Sequence, residues 1–193
     1  ERDLLAAVTG ELARAGALVS FNGKSFDAPV LETRYLFHRL EWIGASLPHI
    51  DVLHPARRFW SAQHSPCSLM ALEQAIIGAR RSGDVPGFEI PGRYFQFIRS
   101  GDARPLVDVL EHNRLDLLSL AGLTARLLDL VRVGPEAARD AGEALALGAV
   151  YARAGLGARA RDAYASAVAA STSTSVVKME ALRALALLSR RAR

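Results

Sequence analysis

The stretch Ala17–Pro29, ALVSFNGKSFDAP, decides the reading of the chain. Ala17, Leu18 and Val19 lead into Phe21 as an apolar run of strand length. Asn22-Gly23 breaks the run, as this dipeptide does where the backbone needs a positive φ. Ser25 is a good N-cap, and the pattern after it predicts a helix to about Leu40. Asp27 therefore falls in the first turn of a helix, just beyond the carboxyl end of a strand. In open α/β sheets ligands bind at that edge.

Outward from this stretch, Leu4, Leu5, Val8 and Leu12 mark one face of a helix over residues 1–15, with Gly16 as its stop. After a loop at 44–48, His49-Ile50-Asp51-Val52-Leu53 reads as a second short strand that ends at Pro55. Strand, helix and strand at this spacing predict a parallel pair. Beyond Ala56 the pattern is helical. Ser68 caps a helix closed by Gly78, a Gly/Pro-rich loop covers 82–92, and Tyr94–Arg99 is a short helix. Pro105 opens a long helix to Val133. Gly134-Pro135 marks a boundary between residues 1–133 and helices at about 136–154, 157–170 and 176–190.

The 193 residues suit one domain, or one plus a small appendage. No run of eighteen apolar residues predicts a membrane span, and the charged start is unlike a signal peptide. Cys67 is the single cysteine, which excludes an intramolecular disulfide and points to a reducing cytoplasm. Residues 1–133 carry fifteen basic and fifteen acidic side chains, whereas 134–193 carry nine against five. That basic tail reads equally as a guide for a polyanion or as a solvated face.

The long helix holds a second informative site. Leu106, Val109, Leu110, Leu117, Leu120, Leu123 and Leu127 form its apolar stripe, and Asn113 and Asp116 fall on the same stripe. A carboxylate facing a core needs partners or a metal. His112 lies one turn before Asp116. A purely structural alternative stands beside this one. In it Asp27 serves the helix dipole, Asp116 bonds an arginine, and His112 is a satisfied surface residue.

At Phe21–Pro29, then His49–Leu53, Ser68-Leu69 with Glu73, Tyr94 and His112-Asn113-Arg114-Leu115-Asp116, the chain resembles the YprB-type ribonuclease-H-like domains, a branch of the DEDD 3′–5′ exonuclease superfamily. The resemblance covers about residues 1–132. It implies an α/β, three-layer ribonuclease-H-like fold, mostly helical in this chain, that hydrolyses nucleic-acid phosphodiesters. It makes Asp27 and Asp116 catalytic acids and metal ligands, and His112 the residue that orients or deprotonates the attacking water. It places Asn22, Lys24 and Asn113 against DNA or RNA. Two Mg²⁺ or Mn²⁺ ions are the implied cofactors, since phosphodiester hydrolysis on a metal pair needs hard oxygen ligands from several directions.

One departure is serious. The superfamily's first motif is an Asp-x-Glu on the first strand, and no such motif precedes residue 17. The expectation is a domain lacking its first strands and part of its metal ligands, inactive alone, with an under-partnered early strand. The alternative is a non-catalytic interaction module. Leu147, Gly148, Tyr151, Ala160, Tyr164 and Ala167 resemble one tetratricopeptide repeat, whose small residues let two helices approach closely. That segment is expected to pack on the first unit or to meet a protein partner. A zinc site from His49, His54, His64 and Cys67 fits no standard spacing.

Overall fold

A computed structural model describes residues 1–191. Helix α1 (Arg2–Leu12) leads into strand β1 (Leu18–Ser20), helix α2 (Asp27–Phe37) and strand β2 (His49–Asp51). The two strands pair in parallel, with Leu18 opposite His49, Val19 opposite Ile50 and Ser20 opposite Asp51. They form the two-stranded sheet of the described residues. Both strands are shorter than their apolar runs. Asn22 adopts φ 67° and stops β1, while Leu53 already begins helix α3 (Leu53–Trp60). Pro55 does not end a strand. It sits in the first turn of α3, where its missing N–H has no intrahelical partner to lose.

Ser25 is also not the cap of α2. Its N–H bonds the Asn22 carbonyl within a turn, and the helix starts at Asp27 with Phe26 before it. The helix ends at Phe37 rather than Leu40, where Arg39 turns at φ 54°. Helix α4 (Leu69–Leu72) does begin at Ser68, whose Oγ accepts from Ala71 N–H. It runs into a π-helical turn (Glu73–Ile77) closed by left-handed Gly78. Helix α5 (Ile90–Ser100) starts earlier than the aromatic cluster suggested. Helix α6 (Leu106–Val133) matches the long apolar periodicity, but its stripe is buried only in the second half. Leu123, Leu127 and Leu130 are core, whereas Leu110 and Leu117 are exposed.

Helices α7 (Ala141–Arg153), α8 (Gly157–Ala169) and α9 (Ser175–Arg191) complete the described chain. Trp60, Leu72, Leu123, Leu130, Leu147 and Tyr151 belong to one hydrophobic cluster, which runs across Gly134. Its polar centre is the buried Glu143. That carboxylate accepts from Trp60 Nε1 at 2.8 Å, Arg126 Nη2 at 2.6 Å and Arg139 N at 2.7 Å. The C-terminal helices thus pack on the first unit. Within them Gly148 faces the ring of Tyr164 so closely that a Cβ there would lie 2.5 Å from it. Gly148→Val should therefore displace Tyr164 and destabilise the chain by about 2 kcal/mol, by the usual cost of overpacking. Urea unfolding checks this, and an unchanged midpoint contradicts it.

Candidate functional site

The site begins with one buried acid. Asp51 ends β2 and is shielded from solvent. Its Oδ1 accepts from Asn22 N at 2.8 Å and Leu53 N at 3.2 Å, and Oδ2 accepts from Lys24 N at 3.1 Å. Burial pushes this carboxyl up, but the three backbone N–H bonds prevail and hold it below the usual aspartate range. Both oxygens of Asp51 thus serve backbone N–H groups of the turn after β1 and of the start of α3. Within that turn Gly23 is obligatory: a Cβ would meet Ser20 Cβ at 2.4 Å. The turn then delivers Asp27 to the start of α2.

Asp27 and Asp116, from α2 and α6, line one cleft of about 360 Å³. Asn113 lines it as well, while Trp42, Phe21 and Leu120 supply apolar wall. Asp27 is exposed, and no side-chain hydrogen bond engages it among the described residues. Asn22 and Lys24 lie on the adjoining turn, outside the cleft lining.

Asp116 is less free. Its Oδ1 is 2.7 Å from Arg81 Nη2, and its Oδ2 is 3.5 Å from His112 Nε2. The Arg81 side chain is 5% exposed, and it also binds Glu73 Oε2 at 2.6 Å and Asp84 Oδ2 at 3.0 Å. Ser119 Oγ donates to the same Glu73 oxygen. His112 Nδ1 lies 2.8 Å from Asp84 Oδ1, and the imidazole is absent from the cleft lining. Burial works against ionisation of Glu73 and Asp84, yet Arg81, Ser119 and His112 hold both carboxyls below their ordinary values. Arg81 resists the opposite pull of burial through its three carboxylates and stays above its ordinary value. The structural alternative's arginine on Asp116 is thus present, and it is Arg81, which the sequence did not single out. An arginine after a helix-closing glycine gives no signal of its target.

Residues 1–128 match the family described as the RNase_H superfamily. The chain belongs to that superfamily. It is also 37% identical over 134 residues to the uncharacterized protein YprB of Bacillus subtilis (strain 168), an alignment that takes in 68% of this chain and 32% of that protein. The chain thus spans about a third of the length of the curated relative it matches. No solved structure matches it significantly.

Membership of the RNase_H superfamily suggests a nuclease-like function and nucleic-acid binding. Among the described residues no helix is long and apolar enough to cross a membrane. The carboxylates of Asp27 and Asp116 have the right hardness for Mg²⁺ or Mn²⁺. Yet no group of three His, Cys, Asp or Glu side chains among the described residues is arranged to hold a metal ion, and Arg81 already occupies one oxygen of Asp116. The residues present therefore do not hold a metal pair by themselves. The zinc candidates also fail to meet, and His49 instead bonds Ser20 Oγ.

Asp51 yields a prediction. Asp51→Asn keeps one acceptor oxygen, sets an NH2 donor against a backbone N–H group and should cost about 1–3 kcal/mol. The carboxyl is held low in the fold, so its stabilisation is complete above the ordinary aspartate range near pH 4 and is lost as pH falls through the lowered value. The stability gap between wild type and Asp51→Asn should therefore narrow below about pH 4. Denaturant titrations at pH 7 and at successively lower pH check it, and a gap that widens in acid contradicts it.

Proposed function

We propose that this chain carries part of the active site of a DEDD-type 3′–5′ exonuclease acting on nucleic-acid phosphodiesters. The observation that supports this most is the meeting of Asp27 and Asp116 in one cleft, although 88 positions of sequence lie between them. In this reading the two acids are metal ligands, and His112 stands beside Asp116 as the water-orienting imidazole. Asn22, Lys24 and Asn113 surround the cleft as nucleic-acid contacts. The remaining ligands, an Asp-x-Glu pair, come from outside residues 1–193 and complete the site for Mg²⁺ or Mn²⁺.

The free edge of β1 supports that completion. Leu18 and Ser20 turn their backbone groups to β2, through Leu18 N to Pro48 O and Val52 N to Ser20 O. Val19, between them, faces the unpaired edge and is 42% exposed. An apolar groove along Val19, Leu117, Leu120 and Leu128 continues from that edge. A further strand with apolar residues on both faces suits such a slot. The helices α7 to α9 are read as tetratricopeptide-like, a surface for a protein partner, on the close seat of Tyr164 over Gly148.

The ion pair between Arg81 and Asp116 favours a second reading, in which the nuclease fold is degenerate and serves as an interaction module. One assay separates the two. In the longest natural polypeptide that contains these residues, Mn²⁺-dependent hydrolysis of single-stranded DNA or RNA should fall at least about a hundredfold with Asp27→Ala or Asp116→Ala, beyond the loss typical of an outer-shell group. Absence of hydrolysis in the wild type, or full activity in both variants, contradicts the nuclease reading.

A further inference from the structure

Two polar side chains of the cleft have no role in the reading above. Ser20 ends β1 and His49 begins β2, diagonally across the parallel pair, with Oγ and Nε2 2.7 Å apart. Both line the cleft together with Asp27. Gly23 lies over them. A Cβ there would come within 2.5 Å of Ser20 Oγ and 3.2 Å of Asp27 Oδ2. A side chain at this position would crowd both the Ser20 hydroxyl and the Asp27 carboxylate, and glycine adds none.

We propose that Ser20, positioned by His49, is a phosphate-contacting residue of this cleft, an inference that rests on the nuclease reading of the same cleft. A serine hydroxyl has one proton and two lone pairs. When His49 Nε2 carries hydrogen, it donates to Oγ, and the Ser20 proton is left to point into the cleft. When Nε2 is bare, the Ser20 proton goes to the ring, and only lone pairs face the cleft. A phosphate oxygen accepts hydrogen bonds, so the first arrangement alone suits it. His49 Nδ1 has no hydrogen-bond partner among the described residues, so no protein contact dictates the tautomer and the ligand selects it. A donor matters at this place because Asp27 and Asp116 face the same space and repel an entering phosphate. Trp42 and Phe21 offer apolar surface to the rest of a nucleotide.

The test uses residues 1–193 with two probes, thymidine 5′-monophosphate and thymidine. The readout is the indole N–H signal of Trp42, which lines the cleft, with Trp60 as an internal reference because its Nε1 is buried against Glu143. The monophosphate should shift Trp42 and leave Trp60 in place. Ser20→Ala and His49→Phe should each weaken the monophosphate at least about tenfold, as loss of a hydrogen bond to a charged group does, with thymidine binding unchanged. A merely structural role for the pair would weaken both probes alike, and that result overturns the proposal. So does the absence of any Trp42 shift, or full monophosphate affinity in both variants. Failure of the nuclease reading would look different: selective loss of the monophosphate in these variants, with no hydrolysis by the longer polypeptide.

Discussion

The candidate site depends on one buried carboxylate. Asp51 gathers the N–H groups of Asn22, Lys24 and Leu53, and by doing so ties the end of β1 to the start of α3. Those bonds, with the Ser25 and Phe26 N–H groups on the Asn22 carbonyl, hold the left-handed backbone at Asn22. With them the turn is held, Gly23 occupies a place where a Cβ would strike Ser20, and Asp27 lines the cleft. Asp27 is thus placed by Asp51, whose oxygens bind backbone N–H groups.

A second constraint acts from the opposite wall. Asp116 is one of three carboxylates around a single buried guanidinium, with His112 attached through Asp84. Such a cluster holds excess negative charge, and it ties Glu73 and the Arg81–Asp84 loop to the first half of α6. Asp116 is 37% exposed and so belongs both to this cluster and to the cleft. The segment after Gly134 is joined to the same body through Glu143, which couples Trp60 of α3 to Arg126 of α6 and Arg139 ahead of α7.

Much of this was legible in the residues. The strand, the Asn-Gly break and the first-turn acid are local features, and local chemistry predicts them well. The α6 periodicity gave its length, and Gly148 with Tyr164 gave the close packing of α7 on α8. Three things were not legible. Ser25 looked like a cap because its type suits one, yet Asp51 captures the turn and moves the helix start to Asp27. The α6 stripe looked like core along its whole length, but burial needs a partner, and near Leu117 the partner surface is an open groove. Arg81 and the Ser20–His49 pair depend on contacts across 35 and 29 positions, which no spacing rule encodes.

The turn after β1 and the first half of α6 face each other across one cleft. A nitroxide at Lys24→Cys, in a Cys67→Ser background, tests it through paramagnetic broadening of backbone amide signals. At about 1.5 Å per residue, the 28 residues of α6 give a ruler on the order of 40 Å. Strong broadening is expected at Asn113, Asp116 and Leu117, fading toward Arg132. Sharp signals at those three residues, or broadening greatest at the Arg132 end, would contradict it.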